Sequence, residues 1–149
     1  MKRFSVIGNP IKHSKSPLLF DAIFKKLDIN ASYTSALLFN NQDVKKYMDH
    51  CKKENIKGIN ITMPFKEYCL SLTNDIDQVA KYTQSINCMH FQKNKIIGYN
   101  NDYYGFKKLI GLNKIKIQNT NNIIIGSGGS ARTIIFFLIK KGAKNIHIL

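Results

Sequence analysis

The sequence predicts an α/β protein, with a first unit on a mainly parallel sheet and a second unit represented by its opening βαβ. Two observations carry this. From residue 4 to residue 80, short apolar runs with a period of two alternate with stretches whose apolar residues recur at i, i+3, i+4 and i+7. Alternation of this kind builds parallel sheets with covered faces. Near the end, a glycine-rich turn, GSGGSA at 126–131, stands between an apolar triplet and an apolar helical stretch.

Taken in order, residues 4–8 form a short apolar strand, and GNPIKHSKSP at 8–17 is a loop whose prolines and hydroxyls prevent regular structure. Ser16 is placed to cap a helix with Pro17 at its first position, and Phe20, Ile23, Phe24 and Leu27 form its apolar stripe. Residues 31–39 read as a second strand. Asn41 is expected to cap a second helix carrying Val44, Tyr47, Met48 and Cys51. A third strand runs from 56 to 63, and Asp75 is expected to cap a short helix with Ile76, Val79 and Ala80. Residues 85–92 and 95–99 read as a hairpin joined through Lys93 and Asn94. An amphipathic helix with Phe106, Leu109 and Ile110 follows, and then the polar stretch NKIKIQNTNN at 113–122.

The chemistry centres on IKGINITMPFKE, residues 56–67. Ile59 and Ile61 alternate with Asn60 and Thr62, and Pro64 keeps Met63 extended. Pro64 is favoured at a first helical position, which would put Lys66 in the first turn of a helix. The field there disfavours an ammonium, the direction needed by a group that both gives and takes a proton near neutral pH. The plain alternative is a solvated surface lysine.

Composition narrows the classes. The net charge is +14, from 23 basic and 9 acidic residues. Only Arg3 and Arg132 are arginines, and the lysines fall in ones and twos on the outer faces of helices, whereas nucleic-acid readers gather charge on one surface and favour arginine. Cys51, Cys69 and Cys88 form no CxxC pair and the four histidines are scattered, so neither a disulfide framework nor a metal site is suggested. No apolar run is long enough to span a bilayer and no cleavable signal follows MKRFSVIG, so a cytoplasmic location is expected.

Residues 123–125 form a tight strand running into GSGGSA, a helix from about residue 130 to 141 follows with Gly142 as its stop, and a further strand occupies 146–149. This is the context of the dinucleotide fingerprint of Rossmann folds. Gly126 permits the turn, Gly128 lets backbone approach a pyrophosphate, and Ala131 takes the close-packing position. The helix N-terminus offers N–H groups and a favourable field for phosphate. The alternative is a glycine turn that merely joins strand to helix.

Taken together, GNPIKHSKSP (8–17), NITMPFKE (60–67), SIN (85–87), NND (100–102) and GSGGSA (126–131) resemble the shikimate dehydrogenase family in order and spacing, over the whole chain. The resemblance implies a shikimate-binding substrate domain at 1–101 and the incomplete start of an NADP-binding Rossmann domain at 102–149. It implies reversible NADP-linked reduction of 3-dehydroshikimate to shikimate, in the shikimate pathway to aromatic amino acids. Ser14 and Ser16 would hold the substrate carboxylate, and Asn60, Thr62, Asn87 and Asp102 the ring hydroxyls. Lys66, also in contact with the substrate, would be the acid–base residue, titrating as a unit with Asp102 as the second catalytic residue. Gly126, Ser127, Gly128, Gly129, Ser130 and Ala131 would cradle NADP.

The family usually has threonine where Cys88 and Asn101 stand and alanine where Ser127 stands. Its members continue for nearly as much chain again, adding the rest of the nucleotide sheet and a last helix with a substrate-contacting glutamine. The residue that separates NAD from NADP falls about 20 positions past the fingerprint, after Leu149. The chain is therefore expected to be a fragment or truncated product. Two alternatives stand beside the enzyme: an inactive remnant that at most binds substrate, and a quinate-using relative. The expected partner is the small-molecule substrate, with no nucleic acid and no membrane. Oligomeric state stays open, a homodimer being one arrangement.

Overall fold

Six strands, β1 (Lys2–Gly8), β2 (Ala31–Leu37), β3 (Ile56–Ile61), β4 (Asp75–Ile76), β5 (Cys88–Phe91) and β6 (Ile96–Tyr99), form one sheet in the order β2-β1-β3-β5-β6-β4. The computed structural model describes residues 1–93 and 95–149. Asn94, assigned with Lys93 to the hairpin turn, lies outside the described residues. β1 is parallel to β2 and β3, and β4 to β6, as the strand–helix alternation requires. β5 is antiparallel to β6, as a hairpin requires, and to β3 on its other side.

Period-two alternation sorts the first strand between two layers. Phe4 and Val6 face α1 (Ser16–Lys26), where Phe20, Phe24 and Tyr33 complete a cluster, while Ile7 joins Ile59, Ile61, Val44, Met48 and Cys51 under α2 (Asn41–Lys53). Ser5, facing the second layer, is fully buried and accepts a hydrogen bond from the Tyr47 hydroxyl at 3.0 Å.

Several boundaries differ from the sequence expectation, each for a local reason. β2 ends at Leu37 rather than at residue 39, because the chain turns there into the α2 cap. That cap is Asn40, not Asn41: its Oδ1 accepts from the N–H groups of Gln42 and Asp43 at 2.9 and 3.0 Å. At α1 the cap position is Lys15, and Ser14 Oγ accepts from the Ser16 N–H at 3.3 Å, so Ser16 does not cap its helix. Asp75 and Ile76 form β4, since Ile76 packs on the main core; Asp77 instead caps α3 (Gln78–Thr83), accepting from the Ala80 N–H at 2.7 Å.

The largest correction concerns the segment after β3. The strand ends at Ile61, Phe65 N–H closes a turn on the Thr62 carbonyl at 3.1 Å, and only a short 3-10 helix, Tyr68–Leu72, follows. No α-helix starts at Pro64: Leu70 N–H bonds to the Glu67 carbonyl at 3.2 Å, and the Lys66 carbonyl accepts from Ile86 N–H at 3.0 Å.

The remainder forms a second, smaller layer: α4 (Asp102–Leu112), β7 (Asn121–Ile124), α5 (Gly129–Lys140) and β8 (Asn145–Ile148). β7 and β8 are parallel, in the expected βαβ order. β7 begins two residues before its expected start, held by a cross-strand bond from Asn145 Nδ2 to Asn121 Oδ1 at 2.8 Å. Phe137, Leu138, Ala131 and Ile124 form its core, with Tyr103 and Phe106 of α4 packed against them. Gly142 stops α5 with φ +71, where a side chain would be strained. No helix among the described residues is long and apolar enough to cross a membrane.

Candidate active site

The C-terminal end of β3, the turn before β5 and the start of α4 converge because β3 and β5 are neighbours and β6 leads directly into α4. Across that convergence Lys66 Nζ donates to Asp102 Oδ2 at 2.6 Å, and Asn87 Nδ2 donates to Asp102 Oδ1 at 2.6 Å. Asn87 Oδ1 in turn accepts from the Asn101 N–H at 2.8 Å, which fixes the orientation of its amide. Both carboxylate oxygens are thus engaged, and Asp102 stands in the first turn of α4, where a negative charge is favoured.

Lys66 has a second hydrogen-bond partner. Its Nζ donates to Ser130 Oγ at 3.0 Å, so the lysine meets the first turn of α5 rather than lying in a helix of its own. The helix expected at Pro64 therefore forms no part of its surroundings. With side-chain exposures of 15% for Lys66 and 36% for Asp102, the pair is shielded but reachable. Two of the three ammonium donors are used, leaving one for a molecule in the cleft. The cleft, about 390 Å³, is lined by Lys66, Asn101, Asp102, Gly105, Ser130 and Thr133 among others. A larger concavity of about 630 Å³ sits at the opposite end of β3, between Lys52, Lys57, Phe91 and Lys95, and contains none of the paired groups.

Asn60, on the α1 face of β3, donates through Nδ2 to the Asn87 carbonyl at 3.3 Å and accepts from the Tyr33 hydroxyl at 2.7 Å. Tyr33 was not anticipated. Its phenol is stacked on Phe20 with ring centroids 4.4 Å apart and lies beside Ser16. Burial, helped by the neighbouring Cys88 thiol, holds the phenol above its ordinary range, so it stays a neutral donor to Asn60. No local signal could have found it, since Tyr33 meets Asn60 only through the β2-β1-β3 strand order.

A continuous run of contacts therefore links Ser14 and Ser16 through Tyr33, Asn60, Asn87 and Asp102 to Lys66 and Ser130. Thr62 is half-buried beside this run and donates its N–H to the Ile7 carbonyl at 3.0 Å. All seven predicted substrate-side residues fall on this end of the sheet.

In the fingerprint, Gly126 has φ +103, a conformation side chains rarely adopt, and its N–H donates to the Leu149 carbonyl at 2.8 Å. A Cβ at Gly128 would meet nothing within 4 Å, so open space faces the turn. No side chain caps α5, which leaves its first N–H groups pointing at that space. Free amides at a helix start beside an open glycine turn fit a pyrophosphate. Ser127 is exposed at the tip, and Ala131 is buried in the second core.

A shielded lysine–aspartate pair at the mouth of a cleft, with a glycine fingerprint opening onto it, sets the class: an α/β protein with a Rossmann-type βαβ beside its main sheet. The chain belongs to the family described as the shikimate dehydrogenase substrate binding domain, which matches residues 6–89. It is 38% identical over 147 residues to shikimate dehydrogenase (NADP(+)) of Pelagibacter ubique, covering 99% of this chain and 55% of that protein. Among solved structures, shikimate dehydrogenase 1 of Peptoclostridium difficile superposes with a TM-score of 0.94 at 27% identity, over 99% of this chain and 56% of that one. A shikimate dehydrogenase in complex with NADP+ superposes with a TM-score of 0.89 at 31% identity, over 99% of this chain and 50% of that one. The chain spans about half the length of the curated relatives it matches.

Proposed function

We propose that this chain supplies the substrate site, the acid–base pair and the first part of the cofactor site of an NADP-linked shikimate dehydrogenase. The observation that carries this is the Lys66 ammonium, bonded to Asp102 at 2.6 Å and to Ser130 of the fingerprint helix at 3.0 Å, which joins a proton carrier to a nucleotide site. Residues 1–101 are the substrate unit and residues 102–149 the opening of the NADP unit.

Ser14 and Ser16, at the loop end beside Tyr33, hold the carboxylate of shikimate. Asn60, Thr62, Asn87 and Asp102 take its ring hydroxyls, and the free amides and open turn at 126–131 take the cofactor pyrophosphate. Bound NADPH supplies the hydride for the ketone of 3-dehydroshikimate. Lys66 stabilises the negative charge that develops on the ketone oxygen and delivers its proton there; in the reverse direction it removes that proton. Asp102, held by Asn87, keeps the lysine aimed at the reacting oxygen and balances its charge. The dispersed lysines are solvated charge, and the setting in which the enzyme works is the cytoplasm.

The test uses a protein of family length that carries this chain as its N-terminal part. Lys66→Ala is expected to lower kcat for shikimate oxidation by about 10²-fold or more while KM changes little, because binding is left to other side chains. A variant with kcat within a few-fold of the parent would remove Lys66 from the proton step.

A further inference from the structure

Four residues close a ring across the two units. Asn100 Nδ2, fully buried, lies 3.0 Å from the Ser85 carbonyl and 2.8 Å from Thr133 Oγ1. Because a carbonyl can only accept, the Ser85 contact fixes which end of the Asn100 amide points there. Thr133 Oγ1 donates to the Gly129 carbonyl at 2.9 Å. The ring closes through space: a Cβ built on Gly129 would stand 2.3 Å from Ser85 Oγ and 3.2 Å from Ser85 Cβ and Lys66 Cβ. Ser85, Asn100 and Thr133 are each 1% exposed, so water does not substitute for any of these contacts.

The fingerprint reading assigns Gly129 to the phosphate cradle. Its surroundings say otherwise, since Gly128 faces open space whereas the Cα face of Gly129 is filled by Ser85. We propose that Gly129 is glycine to admit Ser85, and that this contact, with the Asn100–Thr133 bond, seats the first turn of α5 on the substrate-side unit so that Ser130 reaches Lys66. Ser85, Asn100, Gly129 and Thr133 are then positioning residues for the lysine, one step removed from the reacting atoms. The role in catalysis rests on the proposed proton step; the geometry does not.

The test is made on the 149-residue chain by following the nuclear Overhauser contact between the Lys66 ε-methylene and Ser130 β-protons, together with the melting temperature. Gly129→Ala is expected to abolish the contact and to lower the melting temperature by roughly 5–10 °C. Adding Ser85→Gly, which vacates the same space, is expected to restore the contact and at least half of that loss, a rescue that a phosphate-cradle role for Gly129 does not produce. Thr133→Val is expected to lose the contact and Thr133→Ser to keep it. If Gly129→Ala alone fails to fold, a folded double variant with the contact supports the ring, and an unfolded one overturns it. Gly129→Ala with contact and melting temperature intact overturns it as well. Shikimate-induced shifts at Ser14 and Asn60 report on the proposed function and not on this ring, so the two fail separately.

Discussion

In the six-stranded sheet Ile7, Ile59 and Ile61 are no more than 2% exposed, whereas in the two-stranded sheet Ile123 is 69% exposed and Ile125, just past it, 88%. Both sheets carry isoleucines in their strands. The difference lies in cover: the first sheet has helices or ordered turns on both faces, while α5 and α4 cover only one face of the second. A two-stranded sheet is marginal by itself and borrows its stability from what it packs on. For β7 and β8 that support is the Phe137 cluster and, through α5, the buried ring at Asn100. The comparison teaches that the smaller sheet is held mainly from its covered side and from the end of α5 that meets Lys66.

The sharpest way to break this comparison is Phe137→Ala. Phe137 is fully buried and meets Phe106 edge-on at 5.1 Å, so its removal should cost about 3–5 kcal/mol. Amide exchange in β7 and β8 should accelerate by about 10²-fold or more while β1 and β3 keep their protection. Equal acceleration in both sheets would mean that the chain opens as one cooperative unit.

The second prediction probes the first sheet from within. Burial pushes the Cys51 and Cys69 thiols up to about 12 from an ordinary value of 9.0. The folded chain keeps these protons where the unfolded chain releases them, so the stability involved is present below pH 9 and is lost as pH rises toward about 12. Alkaline unfolding followed by circular dichroism should therefore be shallower in a Cys51→Ala/Cys69→Ala variant. At pH 8, thiol reagents should reach both cysteines only as fast as the sheet opens. Rapid labelling of either would contradict the closed core assigned to this unit.

The smallest effect is expected at the surface contact between the units. Arg132 pairs with Glu67 at 2.9 Å, but the two side chains are 43% and 45% exposed. Arg132→Ala should cost less than about 1 kcal/mol, and a double-mutant cycle with Glu67→Ala should lose its coupling in about 1 M salt. Coupling that persists in high salt would move this pair from the rim into the seating of the units.

The site was partly legible. Asn60, Thr62, Lys66, Asn87 and Asp102 stood in motifs, and the structure gathers them at one end of the sheet, with Asp102 between Asn87 and Lys66. The helix start that Lys66 meets is not one at Pro64 but that of α5, whose Ser130 lies 64 positions further along the chain. The caps of α2 and α3 fall one and two residues from Asn41 and Asp75, on Asn40 and Asp77, since neighbouring Asn and Asp side chains have nearly equal capping power and backbone geometry chooses among them, whereas α1 begins after Lys15 with no side-chain cap.

Sequence by itself determined the α/β class, the order of most elements and the fingerprint turn, because these rest on periodicity and on glycine, whose effects act over a few residues. The tertiary structure decided what lies side by side. Tyr33 reaches Asn60 only because β1 separates β2 from β3 by one strand, and Gly129 meets Ser85 only because α5 docks beside the turn before β5. Contacts between residues far apart in the chain depend on strand order and on the closure of two cores, and neither leaves a periodic trace in the residues that it joins.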